Sequence, residues 1–426
     1  MKRIRLGDVS ETAAALHASA EASADVRRAV GDIVADVRRS GDAALRELTR
    51  RFDGVELRSG GLGSIPLISR ERLQAALAGL DAAVADALRL AAANIRAYHE
   101  RELPRAWRET LAQGQVVGQE IVPLSVAGLY VPGGLADYPS SVLMTAIPAQ
   151  VAGVERIVVC SPPRADGSVA DGVAAACALL GLDVVVPVGG AQAVAAMAYG
   201  TATVPRCDIV AGPGNRYVTE AKRQVMGDVA IDSLAGPSEV LIVADGGSDP
   251  AWIAADVLAQ AEHGAGAMGA VLSLDAGLSA TLEGEIARLA DELGVSVDGV
   301  TIVDCPSAEA AIALVNAFAP EHLELHVARP AALFAQVRNA GAVFVGRHAA
   351  TAFADYAAGT NHVLPTGGAA RYAQGLSVSH FVKRVGVVEM DAGAAARLAA
   401  AVATLAREEG LPAHALAASL RGGDDG

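Results

Sequence analysis

Two ionisable side chains stand side by side at Glu321 and His322, directly after Pro320. A carboxylate can activate water and an imidazole can take up a proton near neutral pH, so the pair could supply acid and base to one reaction. Neighbours on a strand point to opposite faces, so both can reach one substrate only if they lie in a turn where Pro320 ends a helix. The alternative is a loop carboxylate beside a helix-terminal histidine, neither of them catalytic.

A second group of side chains could bind a metal ion. Gln260 and His263 are three residues apart in a helical pattern, which predicts that they share a face. An amide oxygen and an imidazole are ligands of the kind that zinc accepts, and Asp355, His362 and His414 could complete the set. Spacing alone does not unite these residues, and the alternative for the pair is exposure to solvent with hydrogen bonds to neighbours.

The spacing of the cysteines argues strongly against a structural zinc site of the thiolate type. They are widely separated, without a C-x-x-C pair, and lie in apolar surroundings that indicate core packing. A catalytic thiol is the weaker alternative. The residues are Cys160, Cys177, Cys207 and Cys305.

Three glycine-rich turns follow apolar, strand-like runs. They are Tyr130–Gly134, Val188–Gln192 and Gly212–Asn215. Backbone amides of such turns, at the start of a helix, can bind phosphate oxygens. One such turn is weak support for a nucleotide site, and three in one region favour a cofactor-binding domain.

The elements that would position these residues belong to a large α/β enzyme. A chain of 426 residues is too long for one core, and 52% hydrophobic with 19% charged residues indicates a globular protein. Short β-branched runs alternate with Ala-rich helices in two series, one from about residue 116 and one from about residue 240, which is typical of βαβ units around mostly parallel sheets. The sequence therefore predicts two doubly wound domains.

Charge and hydropathy exclude several other classes. The formal net charge is −14, and no Lys/Arg run interleaved with aromatics occurs, which disfavours nucleic-acid binding. The first residues lack the apolar stretch of a secretory signal. The most apolar segment, 184–199, is too short and too broken to span a membrane, so we expect a cytoplasmic protein without a membrane partner.

Taken in order along the chain, eight motifs resemble those of histidinol dehydrogenase, the enzyme of the last two oxidations in histidine biosynthesis. They are Tyr130–Gly134, Tyr138–Met144, Gly189–Ala193, Gly212–Asn215, Ala235–Glu239, Gln260–His263, Pro320–Glu324 and Gly359–Thr366. The resemblance covers nearly the whole chain, and eight ordered matches are highly specific. It implies an NAD-dependent, zinc-containing enzyme that oxidises L-histidinol to L-histidine through histidinaldehyde.

The resemblance also implies roles for individual residues. Glu321 and His322 would be the catalytic acid/base pair. The zinc ligands would be Gln260, His263 and Asp355, with His414 of the partner subunit. The substrate-binding set would be Ser238, Gln260, His263, His322, Asp355, His362, Glu409 and His414. The NAD contacts would be Tyr130, Gln192 and Asn215.

The fold implied by the resemblance has two incomplete Rossmann-like, doubly wound domains with helical N- and C-terminal extensions. We expect an arm over residues 1–24, a first Rossmann-like domain over 25–129 and 238–377 with the zinc and catalytic residues, and a second over 130–237 with the NAD contacts. Residues 378–426 would form a helical extension that reaches the partner subunit. The assembly would be a homodimer with shared active sites.

Two positions depart from the family pattern. Gly264 stands where many members have Asp, and Ala354 stands where most have Gly, so substrate placement is the property in question. The alternative function is a paralogous zinc- and NAD-dependent dehydrogenase of another small polar alcohol, such as a hydroxy-sulfonate. Glu409 and His414 favour histidinol. A rival of another class is a non-catalytic binding or scaffold protein on the same fold.

Overall fold

The computed structural model describes residues 1–17, 23–57, 64–133, 137–264 and 266–423. The chain divides into two compact units, one of Met1–Glu102 with Ser125–Phe381 and the other of Leu103–Leu124 with Val382–Gly426. Within the described ranges, no helix is long and apolar enough to cross a membrane.

Strands and helices alternate through most of the chain. The strands are β1 (Lys2–Arg5), β2 (Trp107–Thr110), β3 (Val116–Pro123), β4 (Val126–Tyr130), β5 (Arg156–Cys160), β6 (Val184–Val186), β7 (Ile209–Ala211), β8 (Ala230–Ile231), β9 (Glu239–Ala244), β10 (Met268–Ser273), β11 (Val300–Asp304), β12 (His322–His326), β13 (Ala342–Val345) and β14 (Val382–Glu389). The helices are α1 (Val9–Leu16), α2 (Ala24–Ser40), α3 (Asp42–Asp53), α4 (Arg70–Gly79), α5 (Ala82–His99), α6 (Pro139–Ala152), α7 (Asp171–Leu179), α8 (Gly190–Tyr199), α9 (Arg216–Val225), α10 (Pro250–Ala261), α11 (Ala276–Leu293), α12 (Ala308–Phe318), α13 (Pro330–Phe334), α14 (Thr351–Tyr356), α15 (Ala392–Glu408) and α16 (Pro412–Arg421).

Two parallel sheets form the larger unit. The five-stranded sheet has the order β6-β5-β4-β7-β8, and the six-stranded sheet has the order β1-β11-β10-β9-β12-β13. Counted within each series, both follow the order 3-2-1-4-5, which is the doubly wound order 3-2-1-4-5-6 without its sixth strand. The predicted α/β fold with two Rossmann-like halves is confirmed.

The six-stranded sheet is covered on both faces because its strands carry apolar residues at successive positions. Leu241 and Val243 of β9 lie in one core, while Val240 and Ile242 of the same strand lie in the other, against α10. This alternation follows from the two-residue period of a strand. The sheet therefore holds the side chains of β9 and β12 in fixed directions.

The first two helices after the arm pack on the five-stranded sheet. Val26, Val30 and Val37 of α2 share a buried core with Val158 and Val210. The sequence grouped residues 25–129 with the other sheet, and an apolar helix stripe does not by itself tell which sheet covers it. The proposed division of the chain into domains stays a prediction, and β1 shows that the 1–24 arm also adds a strand to the six-stranded sheet.

The smaller unit is an antiparallel sheet of order β14-β3-β2 with two packed helices. Ala403 and Ala406 of α15 pack against Ala415 of α16. The guanidinium of Arg397 donates to the carbonyl oxygen of Gln113 at 2.7 Å. The C-terminal extension, which we expected to be helical, thus also contains a strand, because β14 finds its partner β3 far away in the sequence.

Candidate active site

The Glu321–His322 pair lies where a helix gives way to a strand. Helix α12 ends at Phe318, and β12 begins at His322. Among the described residues other than glycine, only Ala319 has a positive φ, 58°, and it is fully buried. A left-handed alanine costs roughly 1–2 kcal/mol, so the surrounding packing must hold this turn. Glu321 therefore lies in the connection ahead of the strand, the arrangement that joint action of the pair requires.

The backbone of Glu239 fixes both side chains. Its N–H donates to Oε2 of Glu321 at 2.9 Å, and its carbonyl oxygen lies 3.1 Å from Nδ1 of His322. A carbonyl oxygen only accepts, so Nδ1 must carry the proton and Nε2 of the neutral ring keeps a lone pair. Nε2 is buried and has no hydrogen-bond partner among the described residues. His322 thus presents one unoccupied basic nitrogen.

Asp355 and His362 lie beside that nitrogen. Oδ1 of Asp355 is 3.9 Å from Nε2 of His322. Nδ1 of His362 donates to the backbone carbonyl of Asp355 at 2.9 Å, which leaves Nε2 of His362 as its acceptor nitrogen. Helix α14 and the long connection after it therefore deliver a carboxylate and an imidazole to the same place as β12.

Gln260 and His263 come from the end of α10. The helix ends at Ala261, so Gln260 lies in the last turn and His263 in the turn beyond it, not on the helix face that the pattern predicted. The side chain of Gln260 is buried, and its Nε2 has no partner among the described residues. His263 is exposed, yet near enough to His322 and His362 to lower the pKa of both.

Burial dominates the electrostatics of the site. It lowers the pKa of His322 and of His362 to about 4, and it raises the pKa of Asp355 to about 7, with the charge of Glu324 adding to the effect. Burial also raises the pKa of Glu321 well above its ordinary value, and the nearby carboxylates of Glu239 and Asp355 add to this. Both imidazoles are therefore held neutral, which is the form that binds a metal or accepts a proton.

These side chains fit a zinc ion by their chemistry. An amide with an unpartnered buried atom, an imidazole and a carboxylate form the N/O donor set that zinc accepts. The amide of Gln260 can exchange the positions of its oxygen and nitrogen to present the oxygen. Gln260, His263 and Asp355 are the candidate ligands of the larger unit.

Three other candidates lie around or away from this group. Ser238 is half-buried directly before β9, and its carbonyl oxygen accepts a hydrogen bond from the backbone of Met268 at 3.0 Å. Glu409 caps the C-terminus of α15, and His414 lies in the first turns of α16, both of them exposed and in the smaller unit. Their roles stay predictions.

The three candidate NAD contacts line one cavity of about 790 Å³. Tyr130 ends β4, Gln192 lies in the first turn of α8 after β6, and Asn215 precedes α9 after β7. Oδ1 of Asn215 accepts hydrogen bonds from the backbone N–H groups of Tyr217 and Val218. The carboxyl ends of parallel strands are where open α/β sheets bind ligands. Gly134, grouped with this region by sequence, lies outside the described residues.

The turn before Asn215 is clamped by a buried ion pair that sequence reasoning missed. Lys222 forms an ion pair with Asp232. Both side chains also bind the backbone of Gly212: Nζ of Lys222 donates to its carbonyl oxygen at 2.9 Å, and Asp232 accepts from its N–H at 2.8 Å. Gly212 has φ +118°, and a Cβ there would lie 2.1 Å from the carbonyl oxygen of Tyr130. A lysine within the apolar stripe of α9 was the available signal, because buried lysines are rare without a partner.

The role of Glu239 was also missed. It appeared only within a matching motif, although its peptide group holds both Glu321 and His322. Its own Oε1 accepts from the N–H of Gly367 at 3.1 Å and lies 3.6 Å from Nδ1 of His17. A buried glutamate at the start of an apolar strand could have indicated this role.

The cysteines have the packing role that the sequence indicated. All four are buried and free. Burial raises the pKa of Cys177, Cys207 and Cys305 to about 12, and that of Cys160 further. A thiol with such a pKa is a poor nucleophile near neutral pH.

Comparison with known proteins gives one consistent family. The family profile described as histidinol dehydrogenase matches residues 16–422. The chain is 48% identical to a histidinol dehydrogenase from Synechococcus, covering 92% of this chain and 91% of that protein, and 44% identical to one from Methanosarcina barkeri, covering 98% and 97%. The crystal structure of histidinol dehydrogenase from Elizabethkingia anophelis is similar with a TM-score of 0.93 at 32% identity, covering 99% of this chain and 98% of that one.

Proposed function

The chain belongs to the histidinol dehydrogenase family, and we propose that it oxidises L-histidinol to L-histidine through histidinaldehyde with two molecules of NAD, in the last steps of histidine biosynthesis. The observation that carries this proposal is that Nε2 of His322 is buried and has no hydrogen-bond partner among the described residues. The carbonyl oxygen of Glu239 fixes the imidazole ring, and the carboxylate of Asp355 lies beside Nε2. That nitrogen has the direction and the protonation state of a general base.

His322 takes part in both oxidations. In the first, Nε2 takes the hydroxyl proton of the alcohol while a hydride leaves its carbon for NAD, which gives the aldehyde and NADH. In the second, it takes a proton from the aldehyde hydrate as the next hydride leaves, which gives the carboxylic acid. The Nδ1–H bond to the carbonyl oxygen of Glu239 keeps the same tautomer ready for each step.

Glu321 acts between the two oxidations. Its carboxylate takes a proton from the water that attacks the aldehyde carbon, and the proton held by His322 passes to the aldehyde oxygen, so the product is the hydrate and Nε2 is free again. Burial raises its pKa, which makes the ionised form a stronger base than an exposed glutamate. The Glu239 N–H at 2.9 Å fixes which oxygen of the carboxylate stays available.

The zinc site combines two subunits in this proposal. Gln260, His263 and Asp355 of one subunit and His414 of the partner subunit bind the ion, so the active enzyme is a homodimer. When bound, zinc would orient the amine and imidazole of the substrate. Ser238, His362 and Glu409 complete the contacts to the substrate.

The dinucleotide binds in the cavity lined by Tyr130, Gln192 and Asn215. The hydroxyl of Tyr130 already accepts a hydrogen bond from the N–H of Gly190 at 3.1 Å, so its ring is fixed against the turn that begins α8. The same cavity takes the two molecules of NAD in turn.

The rival dehydrogenase of another small polar alcohol is not supported, since the similar proteins named above are all histidinol dehydrogenases. The deciding experiment is a steady-state assay of the zinc-loaded enzyme. We expect two NADH for each L-histidinol consumed and L-histidine as the product. One NADH for each histidinol, or turnover only with a hydroxy-sulfonate, would contradict the proposal.

A further inference from the structure

A buried carboxylate lies two residues beyond the general base on the same strand. His322, Glu324 and His326 alternate with Leu323 and Leu325, which lie in the core on the opposite face. Alternate residues of a strand share one face, so the three polar side chains point towards α10 and α14. Glu324 is fully buried there, and the proposed mechanism gives it no chemical step.

One oxygen of Glu324 is bonded to the start of α14. The backbone N–H of Thr351 donates to Oε1 at 2.7 Å, and the hydroxyl of the same residue donates to it at 2.8 Å. Thr351 is the first residue of this short helix, and Asp355 follows one turn later. A carboxylate at this position satisfies a helix-terminal N–H that has no partner within the helix.

The other oxygen faces α10. Nε2 of His326 lies 3.1 Å from Oε2 of Glu324 and 3.7 Å from Oδ2 of Asp256, and the ligand atoms of the three residues lie within 4.8 Å of one another. Burial raises the pKa of Asp256 to about 7, and the charge of Glu324 adds to the effect. Protonated Asp256 can donate a hydrogen bond to Glu324. Gln260 lies one helical turn after Asp256.

We propose that the Glu324 cluster, made of Asp256, Glu324, His326 and Thr351, is a positioning device for the active site. The cluster connects β12, which carries His322, with α10, which carries Gln260, and with α14, which carries Asp355. Asp256 and Thr351 each lie one helical turn before a candidate zinc ligand, and Glu324 lies two residues after the base. Both oxygens of Glu324 are occupied by these contacts, so the cluster acts through hydrogen bonds within the protein.

The reason for such a device is geometric. Helix α14 has only six residues and contributes few contacts of its own, so it needs a fixed starting point if Asp355 is to stay near His322. Sites of this kind tolerate displacements of about 0.5 Å, and loss of groups that orient metal ligands typically weakens metal binding about 10- to 100-fold. The inference rests on the proposed function, because Gln260 and Asp355 are zinc ligands only in that proposal.

The test compares four variants with the wild type as purified full-length enzyme. Thr351→Val and Asp256→Ala each remove one connection, and Asp256→Asn restores a hydrogen-bond donor without the charge. Ser279→Ala is the matched control, because it deletes a fully buried hydroxyl that bonds Asp304 at 2.5 Å and touches no element of the site. The measurements are Zn²⁺ affinity of the metal-free protein by chelator competition, KM and kcat for L-histidinol, KM for NAD and thermal stability.

We expect Thr351→Val and Asp256→Ala to weaken Zn²⁺ binding about 10- to 100-fold and to raise KM for L-histidinol, with KM for NAD unchanged. Asp256→Asn should recover most of the affinity that Asp256→Ala loses. If both variants lose stability but match Ser279→Ala in Zn²⁺ affinity and KM, the positioning role is wrong while the proposed function stands. A wild-type enzyme without Zn²⁺ binding or histidinol turnover would overturn the proposed function and this inference with it.

Discussion

Nδ1 of His322 lies 3.1 Å from the carbonyl oxygen of Glu239, and this contact determines the chemistry of the ring. Glu239 begins β9 and His322 begins β12, so the contact joins the amino ends of two paired parallel strands. The proposed catalytic residues therefore lie at the opposite end of their sheet from the usual ligand crevice, whereas the candidate NAD contacts follow the carboxyl ends of theirs.

Replacement of His322 by Asn should remove the base and keep the contact with Glu239. The amide N–H of Asn can still donate to the carbonyl oxygen, but no nitrogen replaces Nε2. We expect kcat to fall about 100-fold or more, with KM for NAD unchanged. Steady-state kinetics beside His348→Asn, an exposed histidine outside the site, provide the check. Near-normal turnover of His322→Asn would assign the base elsewhere.

Replacement of Glu321 by Gln should separate the two oxidations. The amide oxygen can still accept from the N–H of Glu239, but the side chain no longer takes a proton from water. In a single turnover with excess NAD, the first NADH should form at nearly the normal rate and the second about 100-fold more slowly. Equal slowing of both phases would show that Glu321 does not act specifically on hydration.

Gly212→Ala should disrupt the turn that leads to Asn215. The new Cβ would meet the carbonyl oxygen of Tyr130 at 2.1 Å. Gly181→Ala is the control, since Gly181 also has a positive φ but an added methyl group there would have no other atom within 4 Å. We expect about 1 kcal/mol of destabilisation for Gly181→Ala and several-fold more for Gly212→Ala in urea unfolding. Only Gly212→Ala should raise KM for NAD, and equal effects of the two changes would contradict the close approach.

The stability difference between wild type and Asp256→Asn should depend on pH. The folded pKa of Asp256, about 7, lies above its ordinary value of 3.8. The native state therefore keeps a proton that the unfolded chain loses, and the resulting stability is present at low pH and lost as pH rises towards 7. Relative to Asp256→Asn, the metal-free wild type should become less stable between about pH 4 and 7, by a few kcal/mol at most. A flat difference in urea unfolding across this range would show that Asp256 is ionised in the folded protein.

Mixing two variants that each form little L-histidine should restore its formation if subunits share their sites. A hybrid of His414→Ala and Glu321→Gln has one site with both native residues and one site with neither. Random exchange of subunits in a two-fold dimer then gives about a quarter of the wild-type activity. Activity is measured after exchange has been verified by mass spectrometry. Inactive hybrids would place His414 outside the partner's site.

The sequence by itself determined the fold class and the identity of the main chemical groups. Alternation of β-branched runs with Ala-rich helices predicts parallel doubly wound sheets, because each strand must be buried on both faces. The glycine-rich turns at Gly190 and Gly212 were visible because only glycine suits their backbone. Such signals are local, so a linear chain carries them completely.

Tertiary structure alone decided how those groups work. Which nitrogen of His322 is basic depends on Glu239, which face of β12 carries Glu324 depends on the cores on each side, and the support of Gly212 depends on Lys222 and Asp232. The placement of α2 on the five-stranded sheet was likewise invisible in its apolar stripe. Protonation, direction and burial arise from contacts between residues far apart in the chain, and spacing along a sequence does not specify such contacts.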